Sequence, residues 1–183
     1  MTEMAIRQYE QMRLWTEQVW LHSGGKIPLG AAHEASGYLE ACITNMHRVV
    51  QATRALRKNA ALPSEFKEKF PKHLGFLRSE NRISGVRDAV QHTLDKIAKG
   101  EIAEGRPLSL TPNGPDKTED GQFQKTISYA EIGQLTVQFS ELANWLEEMA
   151  RCAQVVADFS PQGVPTSGPV ANLGRGPKPR NRS

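Results

Sequence analysis

The longest apolar pattern in the chain is AAHEASGYLEACITNMHRVVQATRALRKN, residues 31–59. Apolar side chains recur there every three or four residues, the spacing of one face of an α-helix. The stripe consists of Ala35, Tyr38, Leu39, Cys42, Ile43, Met46, Val49, Val50, Thr53 and Leu56. Pro63 ends the pattern, because the residue before a proline disfavours helical backbone. We therefore expect a long helix whose apolar face belongs to a hydrophobic core.

Other segments repeat this helical spacing. Residues 2–22 predict a first helix, and a third long helix is predicted from near Ile83 to about Lys99. Between them, Ser64 follows a proline and suits the N-cap of a short helix that turns Phe66 and Phe70 inward. The chain therefore favours a helical bundle.

The last predicted helix begins with a recognisable capping signal. Ser128-Tyr129-Ala130-Glu131 has the form of a capping box, and apolar residues then keep helical spacing to about Asp158. A helix of roughly 30 residues needs a long antiparallel partner, either in its own bundle or in a second copy of the chain.

A different pattern separates the third and last helices. Residues 107–111 and 123–127 alternate polar and apolar, and a turn-rich polar stretch, 112–121, lies between them. This predicts a β-hairpin at about 106–127. The expected fold is mainly α: an antiparallel helical bundle over 1–159, with an inserted hairpin and a C-terminal tail.

The tail, residues 160–183, holds most of the basic excess. The net charge of the chain is +3, but the tail carries four basic residues and no acidic one, so residues 1–159 have a charge of −1. Proline, glycine and serine dominate the tail, which has few apolar side chains to bury. We predict that it is disordered.

Cysteine content and hydropathy indicate the compartment. The two cysteines, Cys42 and Cys152, fall on apolar helix faces and form no Cys-x-x-Cys pair, which is typical of reduced, buried thiols. No apolar run approaches the roughly 20 residues of a membrane span, and the N-terminus lacks a signal-peptide pattern. A cytoplasmic location without membrane insertion is expected.

The residues that suggest chemistry lie in NRISGVRDAVQH, residues 81–92. On a helix, His92 falls about 160° from the apolar side and should be exposed. Asp88 is one turn earlier, so its carboxylate could orient the imidazole. Arg87 lies about 140° from His92, so the two side chains diverge in one chain, but two copies that meet across an interface could bring them together. A solvated histidine without a role is the alternative.

Other kinds of site find no support in the sequence. The five histidines show no metal-ligand spacing, and no glycine-rich phosphate loop or nucleophile motif is present. We therefore predict no metal and no cofactor.

The segment from Arg87 to His92 has the form Arg-polar-x3-His, on a helix that follows one long helix and precedes another. This resembles the HEPN superfamily of helical domains, and the resemblance covers about residues 31–158. Many members are metal-independent ribonucleases that act as dimers in toxin–antitoxin and other defence systems. The resemblance implies that Arg87 contacts the scissile phosphate, His92 is the general acid/base, and Asp88 is the polar residue after the arginine. It also implies a homodimer, an RNA substrate and an antitoxin-type protein partner.

A second hypothesis stays open from the residues alone. The long apolar stripes of 31–59 and 129–158 also suit a non-enzymatic helical dimerisation or interaction module. In that case the hairpin and the basic tail would recruit other molecules.

Overall fold

The protein is described from a computed structural model, which covers residues 1–21, 29–92, 95, 98–100, 107, 109–113, 116–119, 122–125 and 128–159. The helices are α1 (Thr2–Leu21), α2 (Leu29–Lys58), α3 (Ser64–Lys69), α4 (Gly75–Arg78), α5 (Glu80–Gln91) and α6 (Phe139–Asp158). The strands are β1 (Thr111–Asn113), β2 (Asp116–Glu119), β3 (Gln122–Lys125), β4 (Tyr129–Ile132) and β5 (Leu135–Gln138). The fold is mainly helical with a small antiparallel sheet, as predicted. None of the described helices combines the length and hydrophobicity needed to cross a bilayer.

Helices α1 and α2 form an antiparallel pair. The side-chain amide of Asn45 donates to Oε1 of Gln8 at 2.8 Å, joining points far from the short connection between the helices. Met12 from α1 and Leu39 and Met46 from α2 are buried between them and the rest of the core. The two predicted helices are confirmed, and the apolar stripe of α2 is core.

The short helices α3 and α4 close one end of this core. Phe66, Phe70 and Phe76 are buried, as the sequence predicted for the first two. Ser64 is the first residue of α3 and Pro63 occupies the N-cap position, so the prediction of Ser64 as N-cap is wrong. The chain then enters α5, which packs along α2.

The region 129–138 differs from its prediction. It forms a tight hairpin in which Tyr129 pairs with Gln138 and Ile132 with Leu135, and α6 starts only at Phe139. Gly133 has a φ of 55°, a left-handed conformation that suits glycine in a two-residue hairpin turn. The capping box at Ser128 is therefore wrong. The capping box of the last helix is formed by Gln138 and Glu141.

A hairpin is present within the predicted 106–127, as β2–β3, but in the described part of the chain residues 107–111 do not pair with 123–127. Thr111 pairs with Glu131 in β1–β4, and Asp116 pairs with Lys125 in β2–β3. The pairing is shifted because β4 supplies a strand where the sequence pattern predicts a helix. β1, β4 and β5 form a sheet in that order, and its buried residues Ala130, Ile132 and Val137 join the helical core.

Two predictions lie outside the described residues. These are the disordered tail, 160–183, and part of the second half of the third long helix, residues 93, 94, 96 and 97. That helix starts at Glu80, before the predicted Ile83, and its described segment α5 ends at Gln91.

Candidate functional site

Helix α5 carries the candidate site and lies between α2 and the β4–β5 hairpin. Its buried side is formed by Glu80, Ile83, Val86 and Ala89. Because α5 packs against α2 on one side and against the sheet on another, its rotation about its own axis is fixed. The exposure of every other side chain on α5 follows from that rotation.

Arg87 lies at the edge of the buried side. Its side chain is 30 % exposed, and its Nη1 donates to Oδ1 of Asp88 at 2.9 Å. Two turns of helix separate Arg87 from Glu80, so both lie on nearly the same face, the one that Glu80 presents to α2. Arg87 is thus partly buried, and its guanidinium is paired with Asp88.

His92 occupies the C-cap of α5. Its backbone N–H donates to the carbonyl of Asp88 at 2.9 Å, and its side chain is 59 % exposed, which confirms the predicted exposure. The ring nitrogen Nδ1 lies 3.3 Å from Oδ2 of Asp95. A carboxylate at Nδ1 fixes the tautomer that leaves Nε2 available for proton transfer.

The predicted role of Asp88 as the partner of the imidazole is not the observed arrangement. Asp88 pairs with Arg87, and Asp95 takes the position beside His92. Helix α5 ends at Gln91, and His92 has φ −102° and ψ 14°, so the chain after His92 leaves the register of α5 and brings Asp95 beside the ring.

Arg87 and His92 do not converge within one chain. They belong to one helical segment, and five residues of helix turn the chain by about 140°. Arg87 is on the side of Glu80 and α2, whereas His92 is exposed at the helix end beside Asp95. A shared site needs a second copy of α5.

A buried polar contact joins α2 and α5, and it was not among the predictions made from the sequence. Glu80 is only 7 % exposed, forms an ion pair with Arg54, and accepts a hydrogen bond from Gln51 at 3.4 Å. The amide of Gln51 also lies 3.4 Å from Nε2 of His47. The burial of Glu80 could have been inferred from the sequence, because Glu80 lies one helical turn before the core residue Ile83 and therefore on the same side of the helix.

Helix α5 contains another arginine, Arg82, and its guanidinium already has hydrogen-bond partners. It donates two hydrogen bonds to Glu141, at 2.6 and 2.9 Å, and a third to the carbonyl of Thr136 at 3.2 Å. It also lies 5.8 Å from the ring centroid of Trp145. The bonds from Arg82 lower the pKa of Glu141. Arg82 thus ties α5 to the sheet and to α6.

The cysteines are unsuited to nucleophilic chemistry. Both are buried free thiols, and burial raises the pKa to about 12 for Cys42 and to about 11 for Cys152. Thiolates are the reactive form, so neither side chain is activated near neutral pH. In the part of the chain that the structure describes, no group of three or more His, Cys, Asp and Glu side chains is arranged to hold a metal ion.

An apolar groove of about 420 Å³ lies where the N-terminus of α1 meets α2 and α6. Val49, Leu56 and Met149 line it, and Met1 and Val156 at its margin are 59 % and 38 % exposed. Cavities of this size accommodate an inserted side chain or a small apolar molecule.

Neither a family model, nor a curated protein, nor a solved structure matches this chain.

Proposed function

We propose that the protein is a HEPN-like, metal-independent endoribonuclease that acts as a homodimer. The observation that carries the proposal is His92, an exposed imidazole at a helix end with a carboxylate 3.3 Å from its Nδ1. Such an imidazole has the chemistry of a general acid/base at Nε2. The identity of the reaction also rests on the Arg-x4-His spacing of Arg87 and His92.

The proposed chemistry uses the 2′-hydroxyl of RNA as the nucleophile. His92 Nε2 takes the proton of the 2′-hydroxyl, whose oxygen attacks the adjacent phosphorus. The P–O5′ bond breaks, a 2′,3′-cyclic phosphate forms, and a proton is returned to the departing 5′-oxygen. Arg87 stabilises the negative charge that builds up on the phosphate oxygens.

A homodimer is part of the proposal because Arg87 and His92 diverge on α5. If two α5 helices meet across a two-fold axis, Arg87 of one copy and His92 of the other face the same space. Such an isologous contact forms two equivalent composite sites. The half-buried Arg87 and the exposed His92 support this arrangement better than a site within one chain.

The test is cleavage of a mixed RNA pool in the presence of a chelator. Arg87→Ala and His92→Ala should each lower the rate by about 10²–10⁴-fold, because one removes charge stabilisation and the other the proton carrier. Arg13→Ala and His33→Ala change exposed residues of the same types elsewhere and should keep the wild-type rate. Cleavage that survives both α5 substitutions, or that stops with chelator, would refute the proposal.

A biological role in a toxin–antitoxin or defence system belongs to the same proposal. A toxin-type ribonuclease arrests growth when no partner restrains it. Expression of the wild-type chain should therefore slow cell growth, and His92→Ala should relieve the effect. Growth arrest that is equal for both chains would remove the support for a toxin.

The groove between α1, α2 and α6 favours a second candidate, a non-enzymatic interaction module. Its apolar lining and the exposed Met1 and Val156 are suited to an inserted apolar side chain of a protein partner. Under this alternative, Val156→Glu at the margin of the groove abolishes partner binding. Substitutions at Arg87 and His92 then have no effect on function.

A further inference from the structure

One part of the folded domain has a strong positive charge. Residues 54–78 contain seven basic and two acidic residues, a net charge of +5. The remaining residues of 1–159 contain 12 basic and 18 acidic residues, a net charge of −6. The near-neutral charge of the domain therefore conceals a separation of charge along the chain.

The basic residues of this segment come together at one end of the molecule. Arg57 at the end of α2 donates to the carbonyl of Lys72 at 2.8 Å, and Lys67 of α3 donates to the carbonyl of Ala60 at 3.2 Å. These bonds fold the end of α2, the helix α3 and the connection to α4 onto one another. The exposed basic side chains here form a surface that we call the basic end: Arg57, Lys58, Lys67, Lys69, Lys72 and Arg78.

The C-terminal tail starts beside the basic end. The ring of Phe159 packs edge-on against Phe66 at 5.2 Å, and the ammonium group of Lys69 lies 5.0 Å from the centroid of the Phe159 ring. Residues 160–183 follow directly and add four basic residues without an acidic one. The described part of the chain therefore ends beside the basic end.

We propose that the basic end binds the phosphate backbone of a nucleic acid strand. Lysine and arginine side chains that displace counterions from phosphates supply most of the sequence-independent affinity of nucleic-acid binding. For RNA as the bound strand, this inference rests on the proposed function.

The composition of the basic end favours nucleic acid over a membrane or a protein. Among the described residues, the large exposed apolar side chains are Met1, Met4, Leu14, Leu135 and Val156, all outside 54–78. Membrane-surface helices need apolar residues to insert next to their basic ones, and stable protein interfaces have an apolar or aromatic centre. The basic end offers charge without such anchors.

The position of the basic end suits the candidate catalytic pair. Arg78 is two residues before α5, and the 12 residues of α5 span about 18 Å. His92 at the far end of α5 is therefore within the length of about five or six stacked nucleotides, at 3.4 Å each. A strand held at the basic end can reach the scissile position.

The test measures binding of a fluorescent DNA strand of about 20 nucleotides. DNA lacks the 2′-hydroxyl and cannot be cleaved by this route, so affinity is measured separately from catalysis. The test variant is full-length Lys58→Gln/Lys72→Gln/Arg78→Gln. The control variant, Arg7→Gln/Arg13→Gln/Arg48→Gln, removes three exposed charges elsewhere and has the same net charge. Both are compared with wild type across a salt series, after their unfolding midpoints have been measured.

The test variant should bind about ten-fold or more weakly, and its slope of log K against log salt should fall by about 2 for three lost phosphate contacts. The control should keep the wild-type affinity and slope. Equal losses in both variants, or binding to phosphatidylserine vesicles but not to the strand, would overturn the inference. If the triple variant does not fold, Lys58→Gln and Lys72→Gln are measured singly, each with an expected slope change of about 0.7.

This experiment also separates the two proposals. Intact strand binding by a protein that never cleaves RNA would reject the proposed function alone. Cleavage with unchanged strand binding in the test variant would reject the basic end alone.

Discussion

Nη1 of Arg87 donates a hydrogen bond to Oδ1 of its neighbour Asp88 at 2.9 Å. The Asp88 carboxylate is therefore hydrogen-bonded to the same guanidinium that is proposed to contact a phosphate. An exposed pair of this kind contributes at most about 1 kcal/mol. Phosphate can replace Asp88, and the competition should reduce the activity of the wild-type chain.

We predict that Asp88→Asn raises the rate of RNA cleavage by up to about five-fold, because it removes a competing charge worth about 1 kcal/mol. Asp95→Asn is the matched change beside the imidazole and should lower the rate, because it removes the carboxylate at Nδ1 of His92. Single-turnover rates at saturating protein measure both effects. A loss of activity in Asp88→Asn as large as in His92→Ala would show that Asp88 serves the imidazole after all.

Two half-buried carboxylates give opposite pH dependences of stability. Burial raises the pKa of Glu40, although the Leu110 amide and His33 oppose the change, whereas the bonds from Arg82 lower the pKa of Glu141. A raised carboxyl pKa stabilises the fold below the unfolded pKa, and this stability is lost as pH rises through the folded pKa. A lowered carboxyl pKa stabilises the fold above the unfolded pKa, and this stability is lost as pH falls through the folded pKa.

Glu40→Gln should therefore raise the urea midpoint at about pH 7, and Glu141→Gln should lower it. Glutamine keeps a hydrogen-bonding oxygen at both positions, so the variants test charge with little change of shape. Both differences from wild type should shrink as the pH falls, first for Glu40, whose pKa is raised, and at lower pH for Glu141, whose pKa is lowered. Midpoint shifts of the same sign for the two variants at neutral pH would contradict the assigned causes.

The glycine at the β4–β5 turn tests the part of the fold that the sequence mispredicted. Gly133 has a φ of 55°, and alanine there should cost about 1 kcal/mol of stability. Gly37 lies inside α2, and no neighbouring atom is within 4 Å of the place that an added Cβ would occupy, so Gly37→Ala should stabilise by about 0.5–1 kcal/mol. Thermal unfolding measures both, and a stabilising Gly133→Ala would indicate helix through residue 133.

The misprediction at 129–138 has a physical cause. Ile132, Leu135 and Phe139 are spaced like one helix face, but Ala130, Ile132 and Val137 also fit the buried side of a hairpin. Both periods fit a segment this short, and the turn at Gly133 decides between them. Long helices such as α2 were predictable because their period continues over many turns.

The candidate site was predictable to a similar extent. The exposure of His92 follows from the apolar face of α5, which the sequence shows clearly. The contact of His92 with Asp95 does not follow from the sequence, because the described helix α5 ends at Gln91 and the path of the chain beyond it depends on the cap. The buried Glu80 was missed because the sequence suggested a helix start at Ile83.

The central claim is a catalytic site that combines Arg87 of one protomer with His92 of the other. Co-expression of two differently tagged chains and tandem purification give defined heterodimers. An Arg87→Ala chain paired with a His92→Ala chain retains one complete composite site, so it should have about half of the wild-type activity in chelator. Pairing wild type with the Arg87→Ala/His92→Ala double variant keeps the same number of active side chains but leaves no complete composite site. We expect activity in the first heterodimer and none in the second; activity only in the second would contradict the composite site.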